Sequence, residues 1–230
     1  MLSVENLEVR YGGINALRRI SIEVGKGETI LLVGANGAGK SSLINAVIGL
    51  VPAQGGAIRL RGQEITGLSA DRRARSGIGY SPEGRRVFPT MSVADNVLAG
   101  ANGRGAKAQK EAWDWLSGIF PMLGERASQP AGQLSGGQQQ IVAFARAMSS
   151  FPDLLLLDEP FLGLAPVWIV RISEAIRQMQ ARGTTILMTE QMARPALKLA
   201  TRGYVMRGGE VRRSGTVAEI RELALAEEYL

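Results

Sequence analysis

Cysteine and histidine are both absent from this chain of 230 residues, and each absence excludes a class of chemistry. Without cysteine there is no disulfide framework, no thiolate metal site and no cysteine nucleophile, which suits a reducing compartment. Without histidine there is no imidazole to serve as a base, a metal ligand or a pH sensor near neutrality. Any hydrolysis must therefore use a carboxylate or another polar group.

Long apolar runs and a targeting segment are missing as well. No stretch of about 18 consecutive apolar residues occurs, so we expect no membrane-spanning helix. Residues 1–6 lack the basic-then-apolar profile of a signal peptide. The net charge of +6 suits nucleic acid or an anionic membrane face, but no aromatic residues alternate with the short arginine groups. A solvated basic surface is the favoured interpretation, and no nucleic-acid partner is expected.

A phosphate-binding pattern is present: GANGAGKS at 34–41 has the spacing G-x-x-x-x-G-K-[ST]. It follows an apolar, β-favouring run and opens a predicted helix, which is the context that the pattern requires. Glycines let backbone N–H groups surround phosphate oxygens, Lys40 can reach the β- and γ-phosphates, and the Ser41 hydroxyl can ligate Mg²⁺. A glycine-rich turn without a ligand is the weaker alternative, so we predict ATP or GTP binding. The predicted nucleotide contacts are Gly34, Ala35, Asn36, Gly37, Ala38, Gly39, Lys40, Ser41 and Ser42.

Two carboxylates, Asp158 and Glu159, follow the four leucines at 154–157. The leucines predict a buried strand, and its end is where a P-loop fold manages Mg²⁺ and the attacking water. Asp158 is predicted to hold Mg²⁺, and Glu159 to polarise the water as the general base. An acidic strand end exposed to solvent is the alternative, which the P-loop earlier in the chain disfavours.

The apolar pattern predicts an α/β fold, with short strands before residue 62, helices from about 90 to 150, and alternation again afterwards. We expect a P-loop core at 1–90 and 150–230 with a helical insertion at about 90–150. Among the details, Ser69 is predicted to cap a helix, and Pro121 to stop the one that starts at Lys107. Gly208 and Gly209 are predicted to turn a hairpin.

A second phosphate-type site is predicted in LSGGQ at 134–138, the signature segment, where Ser135 opens a helix whose dipole favours an anion. Helix capping alone would also explain Ser-Gly-Gly. Together with the P-loop and LLLLDEP at 154–160, however, the segment closely resembles the ATP-binding subunit of an ABC transporter. The resemblance covers essentially the whole chain.

This resemblance implies a P-loop core of the ABC ATPase type with an N-terminal antiparallel β subdomain. It also implies that ATP binds between two subunits arranged head to tail and that Tyr11 stacks on adenine. Four signature residues would then contact the nucleotide held by a partner subunit, namely Ser135, Gly136, Gly137 and Gln138.

Three positions depart from the general family pattern. Glu83 stands where Gln is usual, Ala165 where Asp is usual, and Gln191 where the switch His is usual. By resemblance, Gln191 is a hydrogen-bonding sensor of the γ-phosphate. Glu83 could ligate Mg²⁺ as the family's Gln does, or pair with Arg85 or Arg86 and only shape its loop. We expect the pairing.

The segments that contain these three positions resemble those of one branch of the family, the second ATPase subunit of branched-chain amino-acid importers. The implied function is ATP hydrolysis that powers solute uptake from the cytoplasmic side of a bacterial or archaeal membrane. The implied partners are transmembrane permease subunits, a second similar ATPase subunit or another copy, and indirectly a periplasmic solute-binding protein. Open alternatives are an importer of urea or another small solute, a non-transport ABC-type ATPase, and a regulatory subunit without turnover. The matching segments are PEGRRVFP at 82–89, LGLAP at 162–166, EQ at 190–191 and ALKLATRGYV at 196–205.

Overall fold

Two β-sheets of different character form the frame of the described chain. The computed structural model describes residues 1–191 and 194–227. The smaller sheet is antiparallel, with the order β2-β1-β4-β5, and its long strands alternate between buried apolar and exposed polar residues, as expected for a sheet covered on one face. Its strands are β1 (Leu2–Tyr11), β2 (Ile14–Val24), β4 (Gly55–Leu60) and β5 (Gln63–Glu64).

The larger sheet has six strands, and its centre is parallel. Its strands are β3 (Thr29–Val33), β6 (Ile78–Ser81), β7 (Leu154–Asp158), β8 (Thr185–Glu190), β9 (Arg202–Arg207) and β10 (Glu210–Thr216). Their order is β10-β9-β3-β8-β7-β6, and only the outer pair, β10 and β9, is antiparallel among the described pairings. Strands β3, β7 and β8 are buried along their whole length, which explains their almost continuous apolar sequences.

Helices cover both faces of the larger sheet or follow its strands. They are α1 (Lys40–Ile48), α2 (Ala70–Arg75), α3 (Val93–Ala99), α4 (Ala106–Ile119), α5 (Pro121–Glu125), α6 (Gly136–Met148), α7 (Pro166–Ala181), α8 (Arg194–Leu197) and α9 (Val217–Glu227). A 3-10 turn, Ala131–Gln133, precedes α6. In the part of the chain that is described, no helix is both long and apolar enough to cross a membrane.

Alternate residues of the central strands enter two different apolar clusters. Leu31 of β3 packs in the cluster that contains helices α3 to α7, whereas its neighbour Leu32 packs in the cluster that contains α1 and the smaller sheet. Successive side chains of a strand point to opposite faces, so one strand serves both cores. The helical segment is thus packed on one sheet face, and its treatment as a separate subdomain stays a prediction.

The order of strands places four loops at one edge. Because β3, β8, β7 and β6 run parallel, the segments that follow them all emerge at their carboxyl ends, where α/β sheets bind ligands. Val33 pairs with Glu190, and Asp158 pairs with Thr189. The P-loop, the acidic pair and the end of β8 therefore meet.

One local prediction was wrong, and another was confirmed but incomplete. Ser69 precedes α2, but its hydroxyl donates to the Asp71 carboxylate instead of capping the helix backbone. Pro121 does more than stop α4, because it is the first residue of α5, a position where its missing N–H costs nothing. Strand β5 and helices α5, α8 and α9 are short or terminal elements that the sequence pattern did not predict.

Candidate functional site

The P-loop connects β3 to α1, and close backbone approaches explain its glycines. Gly39, the N-cap of α1, has a φ of 100°, a backbone conformation that residues with a Cβ rarely adopt. At Gly34, a Cβ would lie 2.3 Å from the Met206 carbonyl oxygen. The loop is thus held against the turn between β9 and β10, and Gly39 provides no side-chain cap for α1.

Lys40 is a buried cation at the centre of the loop, with 5% of its surface exposed. Its Nζ donates to the carbonyl oxygen of Gly34 at 2.7 Å and to that of Ala35 at 3.4 Å. The same Nζ lies 3.2 Å from Glu159 Oε1, in an ion pair that is buried on both sides. Removing either partner would leave an uncompensated buried charge, so the pair ties the P-loop to the end of β7.

Asp158 accepts two hydroxyl hydrogen bonds on one oxygen. Ser41 Oγ donates to Asp158 Oδ1 at 3.0 Å, and Thr189 Oγ1 donates to it at 2.7 Å. Burial raises the pKa of Asp158, as does the charge of Glu159, while the two hydroxyls lower it. The two predicted magnesium ligands, Ser41 and Asp158, are therefore brought together from elements far apart in sequence.

Glu159 is held by its backbone and by its carboxylate. Its φ is 50°, in the left-handed region, which is uncommon for a residue with a side chain and is often found at functional sites. Its N–H donates to the carbonyl and the hydroxyl of Thr189, at 3.2 and 3.1 Å. Its Oε2 accepts from the Gln191 N–H at 3.2 Å, while Oε1 faces Lys40. The predicted base therefore has a defined orientation.

A cleft of about 680 Å³ opens over these residues. Tyr11 stands at its wall with 45% of its surface exposed, as a side chain that stacks on a base would need. Gly34 and Ala35 are not among the described lining residues, but their carbonyl oxygens accept hydrogen bonds from Lys40. The cleft is lined by Tyr11, Ile14, Asn15, Ala16, Arg18, Asn36, Gly37, Ala38, Gly39, Lys40, Ser41, Ser42, Glu83, Glu159, Leu162, Gln191, Gly208 and Gly209.

Glu83 lines the cleft, but the prediction that it forms an ion pair with Arg85 or Arg86 is wrong. In the described part of the chain no ion pair within 4.0 Å joins it to Arg85 or Arg86. The Arg85 guanidinium instead packs on the signature segment, where a Cβ on Gly136 would lie 2.1 Å from its Nη1. The Arg86 carbonyl accepts from Arg146. The Arg85 guanidinium is thus held at the signature segment, and Glu83 faces the cleft.

The signature segment lies outside this cleft, at the start of α6. Ser135 forms a capping box, in which its hydroxyl accepts from the Gln138 N–H and the Gln138 amide oxygen accepts from the Ser135 N–H at 3.0 Å. None of the residues 135–138 belongs to the described lining. Both interpretations of the sequence therefore stay open here: the segment is a helix cap, and a nucleotide contact would need another molecule.

Sequence reasoning missed two residues of the site, Thr189 and Glu190. Both are buried at the end of β8, directly before Gln191, which the sequence did single out. A polar Thr-Glu-Gln run closing an apolar strand was an available signal. Residues 14–16, Arg18 and the Gly208–Gly209 turn also reach the cleft, and only the tertiary fold reveals that.

Comparison with known proteins gives consistent matches. A family model described as ABC transporter matches residues 17–162. The chain is 45% identical, over 92% of its length and 91% of the relative's, to the high-affinity branched-chain amino acid transport ATP-binding protein BraG of Pseudomonas aeruginosa. It is 34% identical to the lipopolysaccharide export system ATP-binding protein LptB of Escherichia coli, over 95% of this chain and 92% of that one.

Solved structures agree with the fold. The crystal structure of an ATP-binding cassette of an ABC transporter in its ADP conformation has a TM-score of 0.85 and 28% identity, with coverage of 98% of this chain and 94% of that one. The predicted fold class is confirmed: an α/β P-loop core with an antiparallel β subdomain and a helical insertion.

Proposed function

The chain belongs to the ABC transporter family and is an ATPase that binds ATP or ADP, and from this premise we propose that it powers an importer of branched-chain amino acids. One observation carries the ATP-hydrolysing part of the proposal: a single cleft edge unites Lys40, the Ser41–Asp158 pair and Glu159. These are a phosphate-binding cation, a pair of metal ligands and a base, which are the groups that one chain would contribute to phosphoryl transfer to water.

ATP is proposed to enter with its phosphates in the P-loop and its adenine against Tyr11. No side chain caps the backbone N–H groups at the start of α1, so these groups are proposed to bind the phosphate anion. Lys40 then has to turn from Glu159 and the loop carbonyls toward the β- and γ-phosphates. Nucleotide binding thereby releases the Glu159 carboxylate from its ion pair.

Mg²⁺ fits the oxygen donors of Ser41 and Asp158. Magnesium usually takes one or two protein carboxylates, substrate phosphates and waters, so a two-residue site is adequate for it. When bound, the ion would neutralise charge on the β- and γ-phosphates. Glu83 faces the same cleft and, without the expected arginine partner, is kept as a third candidate ligand.

Glu159 is proposed to take a proton from the attacking water. The water oxygen forms a bond to the γ-phosphorus, the bond from that phosphorus to the bridging oxygen of ADP breaks, and the water proton passes to the carboxylate. Gln191 is proposed to sense the γ-phosphate through its side-chain amide, which can donate and accept hydrogen bonds but cannot titrate near neutral pH. Its side chain is exposed at the cleft, in reach of a ligand there.

A second subunit is proposed to complete the site, because Ser135 to Gln138 lie outside the cleft of their own chain. That subunit is either a similar ATPase or another copy. Further proposed partners are transmembrane permease subunits, contacted near Phe88 at the cytoplasmic face of the membrane, and indirectly a periplasmic solute-binding protein. Phe88 is 48% exposed, which supports a contact role.

The solute is proposed from the relatives alone. BraG is more similar to this chain than the lipopolysaccharide exporter LptB, at 45% against 34% identity, which favours amino-acid import over export. Import of urea or another small solute remains the second candidate. Uptake of labelled leucine, isoleucine and valine against labelled urea by the assembled transporter distinguishes these two.

The mechanism is tested with Glu159→Gln in the assembled transporter. Proton acceptance is lost while shape is kept, so turnover should fall by about 10²- to 10⁴-fold. ATP should bind at least as well, since Lys40 loses its competing carboxylate, and an ATP-dependent dimer should persist on size-exclusion chromatography. Glu125→Gln, at the exposed end of α5, is the matched control. Parent turnover in Glu159→Gln would exclude Glu159 as the base.

A further inference from the structure

Arg18 is a cation at the cleft to which the proposed function gives no role. It lies on β2 and belongs to the residues that line the cleft. The next residue, Arg19, is absent from the described lining, and its Nε lies 3.5 Å from Glu8 Oε1 on β1. Arg19 also has a left-handed φ of 54°, so the strand is irregular at this point. The two adjacent arginines therefore have different surroundings, and only Arg18 reaches the cleft.

The backbone of Arg18 is tied to the P-loop through one turn. Its N–H donates to the Gly209 carbonyl oxygen at 2.8 Å, and the Gly209 N–H donates to the Ala38 carbonyl oxygen at 3.1 Å. The neighbouring Ala16 carbonyl oxygen would lie 2.8 Å from a Cβ on Gly39 and 2.6 Å from one on Gly209. Strand, turn and loop are thus closely packed, and main-chain contacts hold Arg18 beside the P-loop.

Strand β2 runs from the base end of the cleft toward its phosphate end. Its first residue, Ile14, pairs with Tyr11, which is proposed to stack on adenine. Two residues later, the Ala16 carbonyl packs against Gly39 of the P-loop. A strand advances by about 3.3 Å per residue, so Arg18 lies about 13 Å beyond Ile14. This order places Arg18 on the phosphate side of the cleft and away from the base.

The charges at the cleft leave Arg18 without an opposite charge. Its described lining contains two cations, Arg18 and Lys40, and two carboxylates, Glu83 and Glu159. Lys40 forms an ion pair with Glu159. Within residues 1–191 and 194–227, no carboxylate oxygen lies within 4.0 Å of the Arg18 guanidinium. ATP and ADP carry several negative charges, and a cation at a concave site attracts such a ligand.

We propose that Arg18 is a further nucleotide-binding residue, a second cation beside Lys40 that contacts the phosphate chain of ATP and ADP. The proposal rests on the proposed placement of the phosphates in the P-loop. It gives Arg18 no part in the chemical step, because the proposed base and metal ligand, Glu159 and Asp158, lie at the end of β7. Arg18 therefore contributes to nucleotide affinity and leaves the rate of hydrolysis unchanged.

The test measures ADP binding to the full chain by titration calorimetry, because ADP is not hydrolysed. Arg18→Met keeps an unbranched side chain but removes the charge, so the ADP dissociation constant should rise about 3- to 10-fold. Arg18→Lys keeps the charge and should stay within about twofold of the parent. Equal losses in these two variants would overturn the proposal, because the charge would then be irrelevant.

Arg19→Met is the matched control, since Arg19 is adjacent, exposed and outside the described lining. Its ADP affinity should stay within about 1.5-fold of the parent. Equal ADP affinities in Arg18→Met and Arg19→Met would show that Arg18 is only a solvated surface residue.

Salt dependence and steady-state kinetics give readouts that a purely structural role would not move. Salt screens an exposed charge, so the ADP dissociation constant should rise less steeply with NaCl concentration in Arg18→Met than in the parent. In the assembled transporter, Arg18→Met should raise the KM for ATP and leave kcat unchanged, as loss of uniform binding does. Parallel salt dependences, or a lower kcat with an unchanged KM, would contradict the proposal.

Lys40→Ala separates this inference from the proposed phosphate site. Weaker ADP binding in Lys40→Ala with parent-like binding in Arg18→Met would refute only the role of Arg18. Parent-like ADP binding in both variants would refute the placement of the phosphates in the P-loop itself.

Discussion

The helices α1 and α6 both begin beside glycines, but their first turns are completed in opposite ways. At α1, Gly39 provides no side-chain cap, and the loop is shaped by contacts with β7 and β9 from distant parts of the chain. At α6, Ser135 and Gln138 cap the helix with their own side chains. The first end is built by tertiary contacts for a ligand, and the second is complete by itself. Two helix starts that both contain glycine can therefore be stabilised either by distant contacts or by local side-chain caps.

Breaking the α1 end should have the largest effect. Lys40→Ala removes the phosphate cation and leaves Glu159 as an unpaired buried carboxylate. Turnover should fall by at least about 10²- to 10³-fold, with ATP affinity also reduced. Lys40→Arg should fail too, because a planar fork does not fit a site built for a compact ammonium with 5% exposure. ATPase assays and nucleotide titration measure both, and parent kinetics in either variant would show that the phosphate site lies elsewhere.

The substitution Asp158→Asn tests the proposed metal site separately from the P-loop. The amide oxygen can still accept from Ser41 and Thr189, so the fold of the site should persist. The Mg²⁺ concentration for half-maximal turnover should rise by about 10- to 100-fold. Glu83→Gln in the same titration decides whether Glu83 is a ligand, since only a ligand would shift the requirement. An unchanged Mg²⁺ requirement in Asp158→Asn would remove Asp158 from the metal site.

The α6 end can be separated into its cap and its proposed phosphate contact. Ser135→Ala should lower the free energy of unfolding by about 1 kcal/mol, because the N-cap acceptor is lost. Ser135→Asp keeps an equally good cap but sets a negative charge against the partner's γ-phosphate. We expect parent-like stability in denaturant with about 10²-fold lower turnover in the assembled complex. Full activity of Ser135→Asp would mean that the segment is a cap only.

Gln191→Ala should have the smallest effect of the series. The side chain is proposed to make one hydrogen bond to a charged phosphate, so about tenfold of turnover should be lost. The Gln191 backbone N–H still binds Glu159, and ATP affinity should change little. Steady-state ATPase kinetics of the assembled transporter measure both. A loss as large as that of Lys40→Ala would indicate a role in chemistry rather than in sensing.

Local patterns predicted much of this site because short segments are governed by nearby residues. The P-loop, the strand before Asp158 and the Ser135 helix start all lie where expected. Ser69 was misjudged because Asp71, two residues away, competes for its hydroxyl. Glu83 was misjudged because Arg85 is taken by the signature segment, which is some fifty residues later in the chain.

By itself, the sequence determined the α/β class, the phosphate loop and the acidic pair at the end of β7, since glycine spacing and apolar runs act over a few residues. Only the tertiary structure decided which groups touch. Register between β7 and β8 put Thr189 beside Asp158, and burial raised the pKa of Glu190 to about 8. Charge state and contact depend on burial and on partners distant in sequence, and both exist only once the strands are assembled.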